Sequence, residues 1–138
     1  TERIGYTAAL KTLEVMKKLK SWEQIKTAGI KLRKGWQKLA DSYNLQIEHS
    51  GIDPLPAYSF IHKDNLKLKT FITQEMLKKG FLASQNCYLC IEHNHLIIDL
   101  YLNALDEVFQ LIKKALDNEN IDSLLEHDIC SQGFKRLN

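Results

Sequence analysis

The sequence predicts an α+β fold: two long N-terminal helices, a small antiparallel or mixed sheet of short strands, and a long C-terminal helix packed on it. Three observations carry this. Apolar residues recur at steps of three and four up to Tyr43 and again from Asn94 to Leu116, the period of a helix with a buried side. Between these stretches Leu45 and Ile47 alternate with Gln46 and Glu48, the period of a strand with one covered face. Short strands grouped between helices favour a small sheet with helices on one face.

The first helix is expected from about Arg3 to Leu19. At 100° per residue, Tyr6, Ala9, Leu10 and Leu13 fall on one side, while Ile4, Ala8, Val15 and Leu19 fall roughly opposite. Only Arg3, Thr7, Lys11, Glu14 and Lys18 form a solvent stripe. Such a helix either sits centrally in its own core or carries a second apolar face for a partner. Ser21 opens S-W-E-Q, where a serine cap and Gln24 can satisfy free backbone donors reciprocally. The second helix then runs to about Tyr43 along the stripe Ile25, Gly29, Leu32, Trp36, Leu39 and Tyr43. Too few heptads follow for a coiled coil, so intramolecular packing is the expectation.

Past Asn44, two short strands, the second from Ala57 to His62, are joined by a bent loop containing Gly51, Pro54 and Pro56. Asp64 or Asn65 can cap a third helix ending near Lys79, where Gly80 suits a left-handed terminus. Phe81 to Ala83 and Tyr88 to Ile91 read as two further strands. Asn94 caps the last long helix, whose expected buried face is Ile97, Tyr101, Ala104, Leu105, Val108, Ile112 and Ala115. A short helix around Ile121 to Glu126 precedes the tail.

Composition narrows the function classes. The 138 residues, 44% of them hydrophobic, suit a single domain with a real core. A net charge of +2, with lysines spread along the chain and paired near helix ends, argues against nucleic acid as a partner. No apolar run reaches the roughly 18 residues that cross a bilayer, so no membrane partner is expected. A secretory signal is not expected either. Three unevenly spaced cysteines make no disulfide framework, and a reducing, cytoplasmic setting follows as the default.

Cys87, Cys90, His93 and His95 bring metal-binding residue types together in C-Y-L-C-I-E-H-N-H. A zinc site needs both sulfurs turned to one point, and residues three apart on a strand face opposite ways. The second half of a structural zinc motif is absent, so no metal is expected, and one cysteine is expected to pack as a small hydrophobe. No G-x-S-x-G marks Ser50 or Ser131 as a nucleophile, and no G-x-G-x-x-G or phosphate-binding G-x-x-x-x-G-K-[ST] is present.

Thr1 to Leu13, T-E-R-I-G-x-x-A-A-L-x-T-L, resembles the segment after the cofactor-lysine region of class III pyridoxal-phosphate aminotransferases, in particular the glutamate-1-semialdehyde 2,1-aminomutase-like members. It departs at Tyr6, where those proteins usually carry the proline that suits a first helical turn. The tail H-x-x-x-x-x-G-F-K-R-L, with His127, Gly133, Phe134, Lys135, Arg136 and Leu137, is similar to the same family. The middle of the chain matches only by the order of its elements. The resemblance implies a C-terminal fragment of a longer enzyme, with residues 1–20 a linking helix and 21–138 the small domain. It also implies that the imine lysine, the aspartate beside the ring nitrogen and a phosphate-binding threonine lie upstream, in a large domain. No catalytic residue is then expected in this chain, which would be inactive alone. Pyridoxal phosphate would be held in the complete enzyme, a homodimer, with Thr1, Glu2 and Arg3 along the edge of a shared active site; the other reading of these three residues is helix capping and surface pairing. The alternative is a free-standing α+β interaction module without catalytic activity.

Overall fold

The computed structural model describes residues 2–131 and has the expected architecture. Its elements are α1 (Ile4–Leu19), α2 (Ser21–Ser42), β1 (Ile47–Ile52), β2 (Leu55–Phe60), α3 (Asn65–Lys78), α4 (His95–Asp117) and α5 (Ile121–Leu124). Helices α2 and α4 pack on each other, and the β1–β2 hairpin lies against α2 and α3. The core therefore sits between the hairpin and the α2–α4 pair, and its centre is Trp36. Its ring lies 4.7 Å from that of Tyr58, and its indole N–H donates to the Tyr101 hydroxyl at 3.1 Å. An indole can be buried at this depth because its single donor is satisfied.

The hairpin is antiparallel, with Ile47 opposite Phe60 and Ile52 opposite Leu55, so Asp53 and Pro54 form the turn. Alternation decides which face of β2 is covered: Pro56, Tyr58 and Phe60 point inward and are buried. Helix α2 holds the hairpin by two devices. The Arg33 guanidinium donates to the carbonyls of Ser50 at 2.7 Å and Gly51 at 2.8 Å. At Gly29 the turn comes so close that a Cβ would stand 1.8 Å from the Asp53 carbonyl oxygen. Gly29 thus belongs to the buried stripe because the hairpin tip rests on it.

The third helix ends as its sequence predicts. Gly80, at φ 83°, donates to Leu77 O at 3.0 Å, and Phe81 N–H reaches Met76 O at 2.9 Å. This paired closure satisfies carbonyls that the helix leaves free. At the start of α4, the Asn94 side chain accepts from Ile97 N–H at 3.1 Å, the expected cap.

Four expectations are corrected. The strands at Phe81 to Ala83 and Tyr88 to Ile91 do not form. The segment instead runs beside β2 with one isolated bridge, Ala57 to Asn86, and bonds from Tyr58 N–H to Gln85 O, Cys87 N–H to Pro56 O and Leu89 N–H to Pro54 O. Prolines 54 and 56 have no N–H to return to Leu89 and Cys87, so beyond Tyr58 the bonding runs one way and the ladder stops short of a strand. The S-W-E-Q box is not made either. Lys20, left-handed at φ 48°, ends α1 and begins α2, which places Ser21 inside the helix with its buried hydroxyl unpartnered. Gln24 reaches back to Leu19 O at 2.6 Å instead. On α4 Leu105, Val108, Ile112 and Ala115 are buried as expected, but Phe109 joins them and at the first turn Ile98, 3% exposed, takes the place of Ile97, 39% exposed. Finally, α1 does not sit in the core, since none of its residues is buried.

Candidate functional site

Helix α1 is the largest feature left over after folding. Its apolar residues span an arc of about 240°, wider than one buried face requires. Ile4 is 80% exposed, Tyr6 75%, Leu10 70% and Leu13 61%. Among the described elements it meets α2 alone, just across the Lys20 corner. Trp22, at the start of α2, is likewise exposed.

The residues expected near a cofactor stand at the tip of this helix. Glu2 Oε1 accepts from Gly5 N–H at 2.7 Å, so its carboxylate caps the first turn. The Arg3 carbonyl accepts from Thr7 N–H at 3.1 Å and from the Thr7 hydroxyl at 3.0 Å. Both residues are exposed, and neither lines a cleft of the described structure. Thr1 lies outside the described residues, as do Gly133, Phe134, Lys135, Arg136 and Leu137 of the tail motif; His127 is exposed.

Two clefts open where α4 begins. The larger, of about 500 Å³, is mostly apolar and includes Leu32, Phe81, Cys87, Leu89, Ile97 and Tyr101 in its lining. Burial pushes the Tyr101 phenol well up, against the opposing effect of the bond from Trp36, so it stays a neutral hydroxyl. Burial and the nearby Cys90 likewise push up the Cys87 thiol. The smaller cleft, of about 400 Å³, is more polar, with Glu23, Gln24, Thr27, Cys90, Asn94 and His95 around it. His93 borders both.

Cys87 lines the larger cleft and Cys90 the smaller, although the strand from which their divergence was expected does not form. Among the described residues no group of three or more His, Cys, Asp or Glu is arranged to hold a metal ion. What the spacing did not reveal is the turn that begins at Cys90. His93 N–H donates to Cys90 O at 3.0 Å, which folds the chain back before Asn94 caps α4. The signal available in the sequence was a histidine three residues after the cysteine, directly before a helix cap.

A pyridoxal-phosphate site needs a lysine facing a pocket. Neither cleft is lined by one. Lys31 pairs with Asp99, Lys67 with Asp64 and Asp122, Lys78 with Glu75 and Glu126, Lys79 with Glu107 and Lys113 with Asp117. These are surface ion pairs, and the described residues do not fit the cofactor by themselves. No helix among them is long and apolar enough to cross a membrane.

No protein-family model and no curated protein matches the chain in sequence. Its fold is similar to part of a solved structure, the FumI protein of Sphingopyxis sp. MTA144 in its PLP internal aldimine form. The TM-score is 0.72 at 20% identity, over 86% of this chain and 29% of that one. The chain therefore spans less than a third of that protein's length, and the likeness defines a class of fold: the architecture of one region of a larger PLP-containing protein.

Proposed function

We propose that this chain is the C-terminal small domain of a pyridoxal-phosphate-dependent class III aminotransferase or aminomutase, catalytically silent without a large domain of the same polypeptide. The observation that carries this reading is the fold likeness itself, which spans nearly all of this chain but only 29% of a PLP-bearing protein. Two features support it. Helix α1 presents its apolar arc uncovered, as a linking helix seated against a large domain and a homodimer partner would require. The described residues also offer no lysine to the clefts, which suits a cofactor held elsewhere.

In this reading the domain covers the substrate side of the site and excludes water from it. Glu2 and Arg3, with Thr1, line its edge, and the Glu2 cap on Gly5 fixes the direction in which α1 leaves. The complete enzyme is cytoplasmic and moves an amino group between two molecules or within one.

The test compares the complete reading frame that contains this sequence with chain 1–138 alone. The frame is expected to hold pyridoxal phosphate through dialysis, seen by its visible absorbance, on a lysine outside 1–138. The chain alone is expected to lose it. Stoichiometric retention by the chain alone overturns the proposal, and so does a frame without a cofactor-holding lysine. The latter outcome leaves a free-standing interaction module.

A further inference from the structure

Apart from α1, the described residues hold a reactive pair of side chains that no role above uses, Cys90 and His93. The turn that joins them is closed from both ends. His93 N–H donates to Cys90 O at 3.0 Å, and Cys90 N–H donates back to His93 Nδ1 at 2.9 Å. The second bond requires a bare Nδ1, so the neutral ring carries its hydrogen on Nε2. It also holds Nδ1 at 3.3 Å from Cys90 Sγ. Cys90 is exposed and opens on the polar 400 Å³ cleft beside Gln24, Thr27 and Asn94.

The other thiols lack this arrangement. Cys87 packs against the core, and burial holds its proton on. Cys130 is half-buried, with its sulfur directed at Leu66 O at 3.7 Å. Neither is hydrogen-bonded to a histidine among the described residues.

We propose that Cys90 is a nucleophilic thiol assisted by His93, and that it takes a disulfide as substrate to become a mixed disulfide. Cys90 Sγ attacks one sulfur; the new S–S bond forms as the old one breaks, and the other sulfur leaves with the electron pair. The Cys90 proton passes to His93 Nδ1 and then to the departing thiolate. Cys90 is oxidised and the leaving sulfur reduced, so no further oxidant is needed. Because Nδ1 already accepts the Cys90 N–H, taking the proton breaks that bond. The assistance is therefore about tenfold, below the roughly hundredfold or more of bases whose lone pair is free. This assignment does not depend on the cofactor reading.

The full chain is treated with 2,2′-dithiodipyridine, followed by the absorbance of the released thione and by mass mapping. Cys90 is expected to be modified before Cys87 and Cys130, and faster in the folded chain than in urea. In a Cys87→Ser/Cys130→Ser background, His93→Asn separates the two roles of the ring. An asparagine Oδ1 can still accept the Cys90 N–H but cannot take a proton, so the rate is expected to fall about tenfold while the circular dichroism stays the same. First modification at Cys87 or Cys130 overturns the proposal. So does a Cys90 that reacts faster in urea, or an Asn variant at the parental rate, which would make His93 a brace for the turn alone.

Discussion

Helices α1 and α4 are both long and apolar, yet α4 buries six residues and α1 buries none. The difference lies in how the apolar residues are disposed and in what stands opposite them. On α4 Ile98, Leu105, Val108, Phe109, Ile112 and Ala115 lie along one side, which α2 and α3 can cover. On α1 they wrap most of the circumference, and the Lys20 corner turns the helix away from the body. Apolar content alone therefore does not place a helix inside. It creates a demand, and only a surface of matching shape can meet it.

If that contrast is right, substitutions in the body cost stability and substitutions on α1 do not. The largest effect is expected from Trp36→Ala, which empties the centre of the core and leaves the Tyr101 hydroxyl without its donor. A loss of about 3–5 kcal/mol should be read by denaturant unfolding. Gly29→Ala comes next. Its methyl would meet the Asp53 carbonyl, which is backbone and can move only by lifting the hairpin, so about 2–3 kcal/mol is expected.

Smaller is Asn94→Ala, which removes the cap on α4 for about 1 kcal/mol, seen as a lowered melting temperature. Mild acid should weaken the body slightly. Burial, with the Arg33 charge second, holds His49 below its ordinary 6.5. The unfolded chain then takes up a proton that the folded chain refuses, so this contribution is whole above 6.5 and declines as the pH falls through it. His49→Gln should remove that limb of a stability-versus-pH curve.

The smallest effect belongs to α1. Leu10→Ser with Leu13→Ser should change the unfolding free energy by less than about 0.5 kcal/mol, because neither side chain leaves a packed place. The same pair should reduce self-association in a sizing experiment, since it removes exposed apolar surface. A cost comparable to that of Trp36→Ala would break the comparison, for it would mean that α1 is covered within the chain.

Much of the body was legible because its signals are local. The Asn94 cap, the Gly80 terminus and the Trp36 stripe each depend on residues a few positions apart, and each is found where the spacing put it. The candidate site was less legible. Glu2 and Arg3 could be placed at the start of α1, and helix capping, one of the two roles open to them there, is what the Glu2 carboxylate does on Gly5 N–H; the place of these residues at a cofactor edge is not legible in the chain. Ser21 shows how a local signal can be overruled: a single left-handed residue before it moved the helix boundary and left its hydroxyl inside.

The sequence by itself determined the class of the fold, the helices and the hairpin, because side-chain period and chain stiffness are properties of neighbouring residues. Tertiary structure decided the rest. Whether residues 81–91 became strands depended on the edge that β2 offered, and two prolines there could accept hydrogen bonds but donate none. Whether α1 was core or surface depended on a covering partner, which no local pattern encodes. The meeting of Cys90 with His93 likewise waited for a turn to bring a thiol and a ring nitrogen within 3.3 Å.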